Sequence, residues 1–226
     1  MGTLIAEDLL LLLLDDETGA LAASDRIRPL LGGALLIELA LAERVVVADK
    51  AHLWSTPKVT VVDGPGADDP LLAAALDTIG TKDRSAQDLV DRLGKGTREA
   101  LLARLTERGL IRPVKGKVLG LFPRTTWPAT DRTHEARVRE RLHGTLVQGL
   151  STDERTSALV ALLASIDHAH KVVDRGDLPA REVRRRAEEI AEGAWAAKAV
   201  RDAVVAAQAA LTAAVVASTA ATAGGS

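Results

Sequence analysis

The chain has no cysteine and no tyrosine, one methionine, one phenylalanine and three tryptophans, so aromatic residues make up 2% of its 226 positions. Without cysteine there is no disulfide, no thiolate nucleophile and no thiolate-held metal, a usage that fits a reducing cytoplasm. With so few rings, leucine, alanine and valine must fill the core, and that mixture favours helices. An excess of one charge sign is also missing, since 29 Lys and Arg face 31 Asp and Glu. Long apolar runs are scarce. Leu9 to Leu14 is all leucine, but Glu7 and Asp8 precede it and Asp15, Asp16 and Glu17 follow, the reverse of the basic start and longer apolar stretch of a signal peptide. From Ala203 onward only Val204, Val205, Leu211, Val215 and Val216 are strongly apolar. That stretch reads as the buried central helix of a bundle rather than a membrane span.

What is present is ample material for a core, with 47% hydrophobic residues in a chain long enough to bury them. Periodicity and caps predict helices over 3–14, 29–42, 69–79, 85–93, 98–108, 132–147, 179–192 and 195–217. A further helix follows the Ser151-Thr-Asp-Glu154 capping box and runs to about Ser165. The β-branched runs 44–48 and 59–63 are expected to pair. The fold expected is mainly α: a single globular helical domain over residues 1–217 around a buried helix bundle, with small β-hairpins on its surface and a flexible tail over 218–226. Glu38 sits inside the apolar 29–42 helix with no partner in view.

The most informative stretch begins at Thr97, a plausible N-cap. Leu101, Leu102 and Leu105 form one apolar stripe, and Gly109 suits the left-handed position after a helix. Beyond it, 110–114 and 117–122 flank Lys115-Gly116 as a hairpin with a basic turn and an apolar tip of Val118, Leu119, Leu121 and Phe122. At helical spacing Arg98 opens the leucine stripe. With Lys95 and the free N–H groups of the helix start it could hold a phosphate; otherwise it snorkels to solvent or pairs with a carboxylate. Eight basic and two acidic residues lie between Lys95 and Arg124, a local charge that points to a polyanionic surface as partner.

Catalytic signatures are missing. Among five histidines only Asp167-His168-Ala-His170 resembles a ligand cluster, without further ligands at a recognisable spacing, and a helix-end loop is the simpler reading. There is no nucleophile elbow and no phosphate-binding glycine loop. A non-enzymatic protein with no cofactor and no metal is expected. The helices 85–93 and 98–108 with the hairpin also follow the plan of a winged helix, which would bind nucleic acid. Against that alternative, the outward face of the second helix would show Glu99, Ala103, Thr106 and Glu107 to phosphates.

Three segments resemble the Golgi phosphoprotein 3 family: Leu31-Gly-Gly-Ala-Leu-Leu-Ile-Glu-Leu-Ala-Leu-Ala42, the 98–109 helix, and Leu-Gly-Leu-Phe122 followed by Trp127-Pro128. The likeness covers roughly residues 3–215, and the composition is similar to that of the actinobacterial branch. The resemblance implies a largely helical domain and a peripheral membrane protein that binds phosphatidylinositol 4-phosphate and sorts membrane-protein cargo. Of the family's headgroup pocket, a tryptophan and an arginine match Ala23 and Gly32 and are lost, while two arginines match Lys95 and Arg98; Arg26 and Arg28 are candidate substitutes. The family's membrane-inserting hairpin corresponds to Val114 through Phe122, with Lys115, Lys117, Val118, Leu119, Leu121 and Phe122 as the contacting residues. The expected partner is an anionic phospholipid surface on the inner face of the membrane, approached reversibly from the cytoplasm.

Overall fold

The computed structural model describes residues 2–47, 58–64, 66–80, 84–118, 122–193, 202–205, 207–209 and 211–212. At its centre lie α1 (Ile5–Leu13) and α2 (Ile27–Leu41). Every residue of α1 is buried, Glu7 and Asp8 included, which accounts for a leucine run with no polar face: α2, α5 (Thr97–Glu107), α6 (Thr133–Leu146) and α7 (Glu154–Ser165) pack around it. The expectation of a central helix from Ala203 onward is corrected here. The described residues of that stretch bury Ala203, Val204, Ala207 and Leu211 and leave Val205 57% exposed, a one-sided stripe; the expected tail lies outside the described residues.

On one side of this centre, β1 (Val45–Val47) pairs antiparallel with β2 (Lys58–Val61) as expected, and β2 also pairs with β3 (Arg84–Ser85), a strand too short for the sequence pattern to reveal. The residues joining β1 to β2, 48–57, lie outside the described residues. α3 (Pro70–Gly80), α4 (Ala86–Gly94) and α5 (Thr97–Glu107) follow, then the hairpin of β4 (Val114–Val118) and β5 (Phe122–Thr126). α8 (Ala180–Glu192) packs on α7 and α6.

α2 and α4 cross with their backbones in contact. A Cβ on Gly32 would stand 1.8 Å from the Val90 carbonyl oxygen, and one on Gly94 would stand 1.9 Å from that of Arg28. Two glycines facing opposite ways across one contact let the backbones touch.

The two acids opening α1 are satisfied from α5 and α6. Glu7 Oε1 lies 3.1 Å from Arg104 Nε and 3.0 Å from Arg108 Nη1, and its Oε2 accepts the Leu4 N–H at 2.7 Å. Asp8 Oδ1 lies 2.7 Å from His134 Nε2. Glu38 finds its partner in Arg155, 2.5 Å away on α7, and also accepts the Ile5 N–H. Carboxylates at a helix N-terminus face its free N–H groups and positive dipole end, and cations brought by α5 and α7 complete the pairing.

Several caps differ from expectation. Gly96, at φ +76°, is the N-cap of α5, and Thr97 instead gives its hydroxyl to the Leu93 carbonyl. Asp153 rather than Ser151 caps α7, accepting the Thr156 N–H at 2.8 Å. Gly109 takes φ +71° where α5 ends, as expected. The arginines of α8 reach other elements: Arg184 pairs with Asp167 at 2.6 Å, and Arg186 caps the end of α6 through the Leu146 and Val147 carbonyls.

Candidate functional site

The hairpin register corrects the expected turn. Lys115 pairs with Thr125 and Gly116 with Arg124, both inside the ladder, and Val118–Phe122 is the last pair before the connection. The basic pair therefore lies along a strand, and the connection falls on the apolar residues. Leu119 and Leu121 are outside the described residues; Lys117, Val118 and Phe122 are placed by their backbone pairing alone. The stem stands clear of the core: Val114, Lys115, Gly116 and Arg124 are exposed.

At the base of the hairpin, Trp127 and Pro128 lie against the turn formed by residues 15–20. The Trp127 N–H donates to the Gly19 carbonyl at 3.1 Å, and the Ala129 N–H donates to that of Asp16 at 3.1 Å. Gly19 adopts φ +64°, and a Cβ there would fall 2.2 Å from Trp127 N, so this contact requires glycine. On the other side, the Arg98 guanidinium carbon lies 5.4 Å from the centre of the Trp127 ring, a cation–π distance. Arg98 Nε is buried and has no hydrogen-bond partner among the described residues. Arg98 thus neither joins a carboxylate nor simply snorkels; it packs under an indole with one donor unused.

The other candidate cations are placed differently. Arg28 is committed to Asp91, with Nη2 2.6 Å from its carboxylate and Nε donating to its carbonyl at 3.1 Å. Arg26, the residue before α2, has its Nε 3.6 Å from Asp25. Lys95 is exposed, beside the Gly94 that abuts Arg28. Of the eight basic residues in the 95–124 window, Arg104 and Arg108 turn inward to Glu7. That leaves Lys95, Arg112, Lys115 and Arg124 exposed in the described surface.

The two positions matched to missing family pocket residues are also explained by packing. Gly32 lies within α2 at the α4 crossing, where any side chain would strike the Val90 backbone. Ala23 adopts φ +49° and is packed partly against the core. The aromatic beside Arg98 comes instead from Trp127, a contact for which no sequence spacing gives a signal. Arg155 as the partner of Glu38 was equally out of reach, lying 117 residues away.

Glu135 and His170 are among the titratable groups that depart from ordinary behaviour. Burial pushes the Glu135 carboxyl up to about 7, with the neighbouring Asp16 adding to the effect and Arg139 opposing it. Burial, reinforced by the Arg184 charge, holds His170 below the usual histidine range against the pull of Asp167. His168 hydrogen-bonds the Ile166 carbonyl at 2.9 Å, and among the described residues no three His, Asp or Glu side chains gather as a metal set. No helix of the described residues is long and apolar enough to cross a membrane.

A search of curated proteins finds no match. The model of the family described as Golgi phosphoprotein 3 (GPP34) matches residues 5–207, running from the buried α1 through the α4–α5 pair and hairpin into the last described helical residues, and the chain belongs to that family.

Proposed function

We propose that the protein docks reversibly on anionic phospholipid membranes, with the β4–β5 hairpin entering the headgroup region and the exposed cations beside it facing the lipid charge. The observation that carries this reading is the hairpin stem: a two-stranded ladder whose described residues stay out of the core, ending in a connection of apolar sequence. Each Lys or Arg near an anionic leaflet contributes about 1 kcal/mol, so Lys95, Arg112, Lys115 and Arg124 together give about 4 kcal/mol, equivalent to a dissociation constant of roughly 1 mM. Charge alone is therefore too weak. Leu119, Leu121 and Phe122 would add at most ~1.5–3 kcal/mol each on full burial, enough for adsorption that salt reverses.

Recognition of phosphatidylinositol 4-phosphate is the narrower form of this reading. It would call on Lys95 and Arg98, and it loses support at Gly32, where the α2–α4 crossing has no room for an arginine. A surface role at the inner leaflet, with membrane-protein cargo as a further partner, follows from the same docking. Nucleic acid is disfavoured because α5 exposes Glu99, Ala103 and Glu107.

Co-sedimentation with phosphatidylcholine vesicles, with and without phosphatidylglycerol, tests the proposal. The wild type should pellet with the anionic vesicles and be released by salt. A variant carrying Lys115→Ser, Lys117→Ser, Leu119→Ser and Phe122→Ser should remain in the supernatant, and equal pelleting of the two would refute the reading. Phosphatidylinositol 4-phosphate at matched surface charge should add nothing beyond its charge.

A further inference from the structure

The hairpin leaves the core through a neck that its own ladder holds poorly. Ile111 pairs with Ala129 in the same register that Val114 and Thr126 continue, which sets Pro113 opposite Trp127 and Pro128 opposite Arg112. Proline has no N–H, so each strand loses a ladder donor at this level, and regular strand is interrupted over 112–113 and 127–128. The Arg112 N–H still crosses to the Pro128 carbonyl at 3.2 Å, but the Trp127 N–H turns sideways to Gly19. Nearer the core the Thr130 N–H donates to the Leu110 carbonyl at 2.8 Å, and farther out the β4–β5 ladder resumes. A two-stranded ribbon interrupted on both strands at one level bends there unless something outside the ladder braces it.

Two braces are present, and they meet at Trp127. One is Arg98, whose guanidinium carbon stands 5.4 Å from the centre of the indole. It projects from the first turn of α5, a helix anchored in the core by Leu101, Leu102 and Leu105, so the foot of this contact stays with the core when the hairpin moves. No described acceptor competes for the buried Arg98 Nε. The other brace is the 15–20 turn, which accepts the Trp127 and Ala129 N–H groups. That turn follows directly on the buried α1 and is tied across itself: the Asp15 N–H donates to the Ala20 carbonyl at 2.9 Å and the Ala22 N–H to the Leu13 carbonyl at 2.8 Å. The Asp15 carboxylate accepts the Thr18 N–H and hydroxyl, both at 2.7 Å.

We propose that Pro113 and Pro128 form the joint of the hairpin, and that Arg98, stacked on Trp127, is the strut that sets its angle to the core. Arg98 is then a positioning residue for docking and not a ligand of the lipid headgroup. The strut stands on the geometry of the neck, and its consequence rests on the membrane-docking reading. A ribbon held at one angle presents its apolar tip together with Lys115 and Arg124 and needs no ordering on contact with the bilayer. A ribbon loose at the neck gives up that freedom on binding, and its affinity falls with the fraction of molecules that hold the productive angle. The stabilisation that a cation–π contact supplies bounds the penalty at roughly two- to thirtyfold.

The absence of cysteine lets the angle be measured without lipid. Spin labels are attached at Gly116→Cys, where an added Cβ would meet the Arg124 carbonyl oxygen at an ordinary 3.9 Å, and at Glu188→Cys, exposed on α8. Double electron–electron resonance then gives the distribution of distances between hairpin and core, under conditions where circular dichroism shows each protein folded. The distribution should be narrow with the native strut, broad in Arg98→Ala and in Trp127→Ala, no broader in the double variant, and narrowed again in Trp127→Phe. A distribution that is broad with the native strut, or equally narrow in both alanine variants, overturns the strut. In co-sedimentation without labels, Trp127→Ala, which removes no charge, should bind phosphatidylcholine vesicles containing phosphatidylglycerol roughly two- to thirtyfold more weakly than wild type. The same factor should hold when phosphatidylinositol 4-phosphate replaces phosphatidylglycerol at matched charge. If Trp127→Ala keeps full binding to phosphatidylinositol 4-phosphate while Arg98→Ala loses it, Arg98 is a headgroup ligand and the proposal falls. If the distances respond while the wild type binds no vesicles, the docking reading fails and the strut stands; if they respond while vesicle binding is unchanged, the role of the strut in docking is refuted.

Discussion

Replacing Gly32 by alanine should separate α2 from α4. The added Cβ would lie 1.8 Å from the Val90 carbonyl oxygen, 2.8 Å from Gly94 N and 2.9 Å from the Val90 carbonyl carbon. All three are backbone atoms, so no rotamer change can relieve the clash and a helix must move. Overpacking usually costs about 1–3 kcal/mol, and a backbone-to-backbone clash belongs at or above the upper end. For a chain of this length ~3 kcal/mol corresponds to a fall in Tm of roughly 6–12 °C. Gly144→Ala is the control: it lies in α6, and its Cβ would meet only Leu150 Cδ1 at 3.4 Å. There alanine should stabilise by up to about 1 kcal/mol through helix propensity. Thermal melts followed by circular dichroism at 222 nm compare the two. A Gly32→Ala protein melting within 1–2 °C, roughly the effect of a neutral surface change, would refute the close crossing. It would also reopen position 32 to the arginine that the family likeness places there.

Arg155→Ala should strand Glu38, whose side chain is 13% exposed while that of Arg155 is 36% exposed; a loss of about 1–3 kcal/mol is expected, between the values for exposed and buried pairs, and an unchanged urea midpoint would count against it. Because Glu135 has its carboxyl raised to about 7 in the folded chain, its contribution to stability is fully present below its ordinary value and is lost as pH rises through about 7. The wild type should therefore lose stability relative to Glu135→Gln between pH 5 and 7.5 by on the order of 3 kcal/mol, as read from urea titrations at the two pH values; a gain would contradict the sign. His170, depressed by burial and by the Arg184 charge, should titrate below an ordinary histidine in NMR spectra, and Arg184→Gln should move its midpoint upward.

The sequence by itself determined the local elements. Leucine spacing, Gly109 and the β-branched runs placed α1 to α8, β1 and β2 to within a few residues, because caps and periodicity act over one or two turns of chain. It also supplied the family, through the glutamate-bearing α2 segment, the α5 helix and the residues leading to Trp127-Pro128. Tertiary structure decided what each charge does. Arg104, Arg108 and Arg155 could have been surface cations as readily as partners of Glu7 and Glu38, since pairing between residues so far apart in the chain leaves no mark in local spacing. It also decided which helix is central: α1 and the stretch after Ala203 are both rich in apolar residues, and only the packing of four helices around α1 distinguishes them. The same holds at the candidate site, where Arg98 near the start of α5 meets Trp127 at the base of the hairpin, 29 residues further on. Burial and the neighbourhood of like or unlike charge set the chemistry of an ionisable side chain, and both are properties of the packed chain.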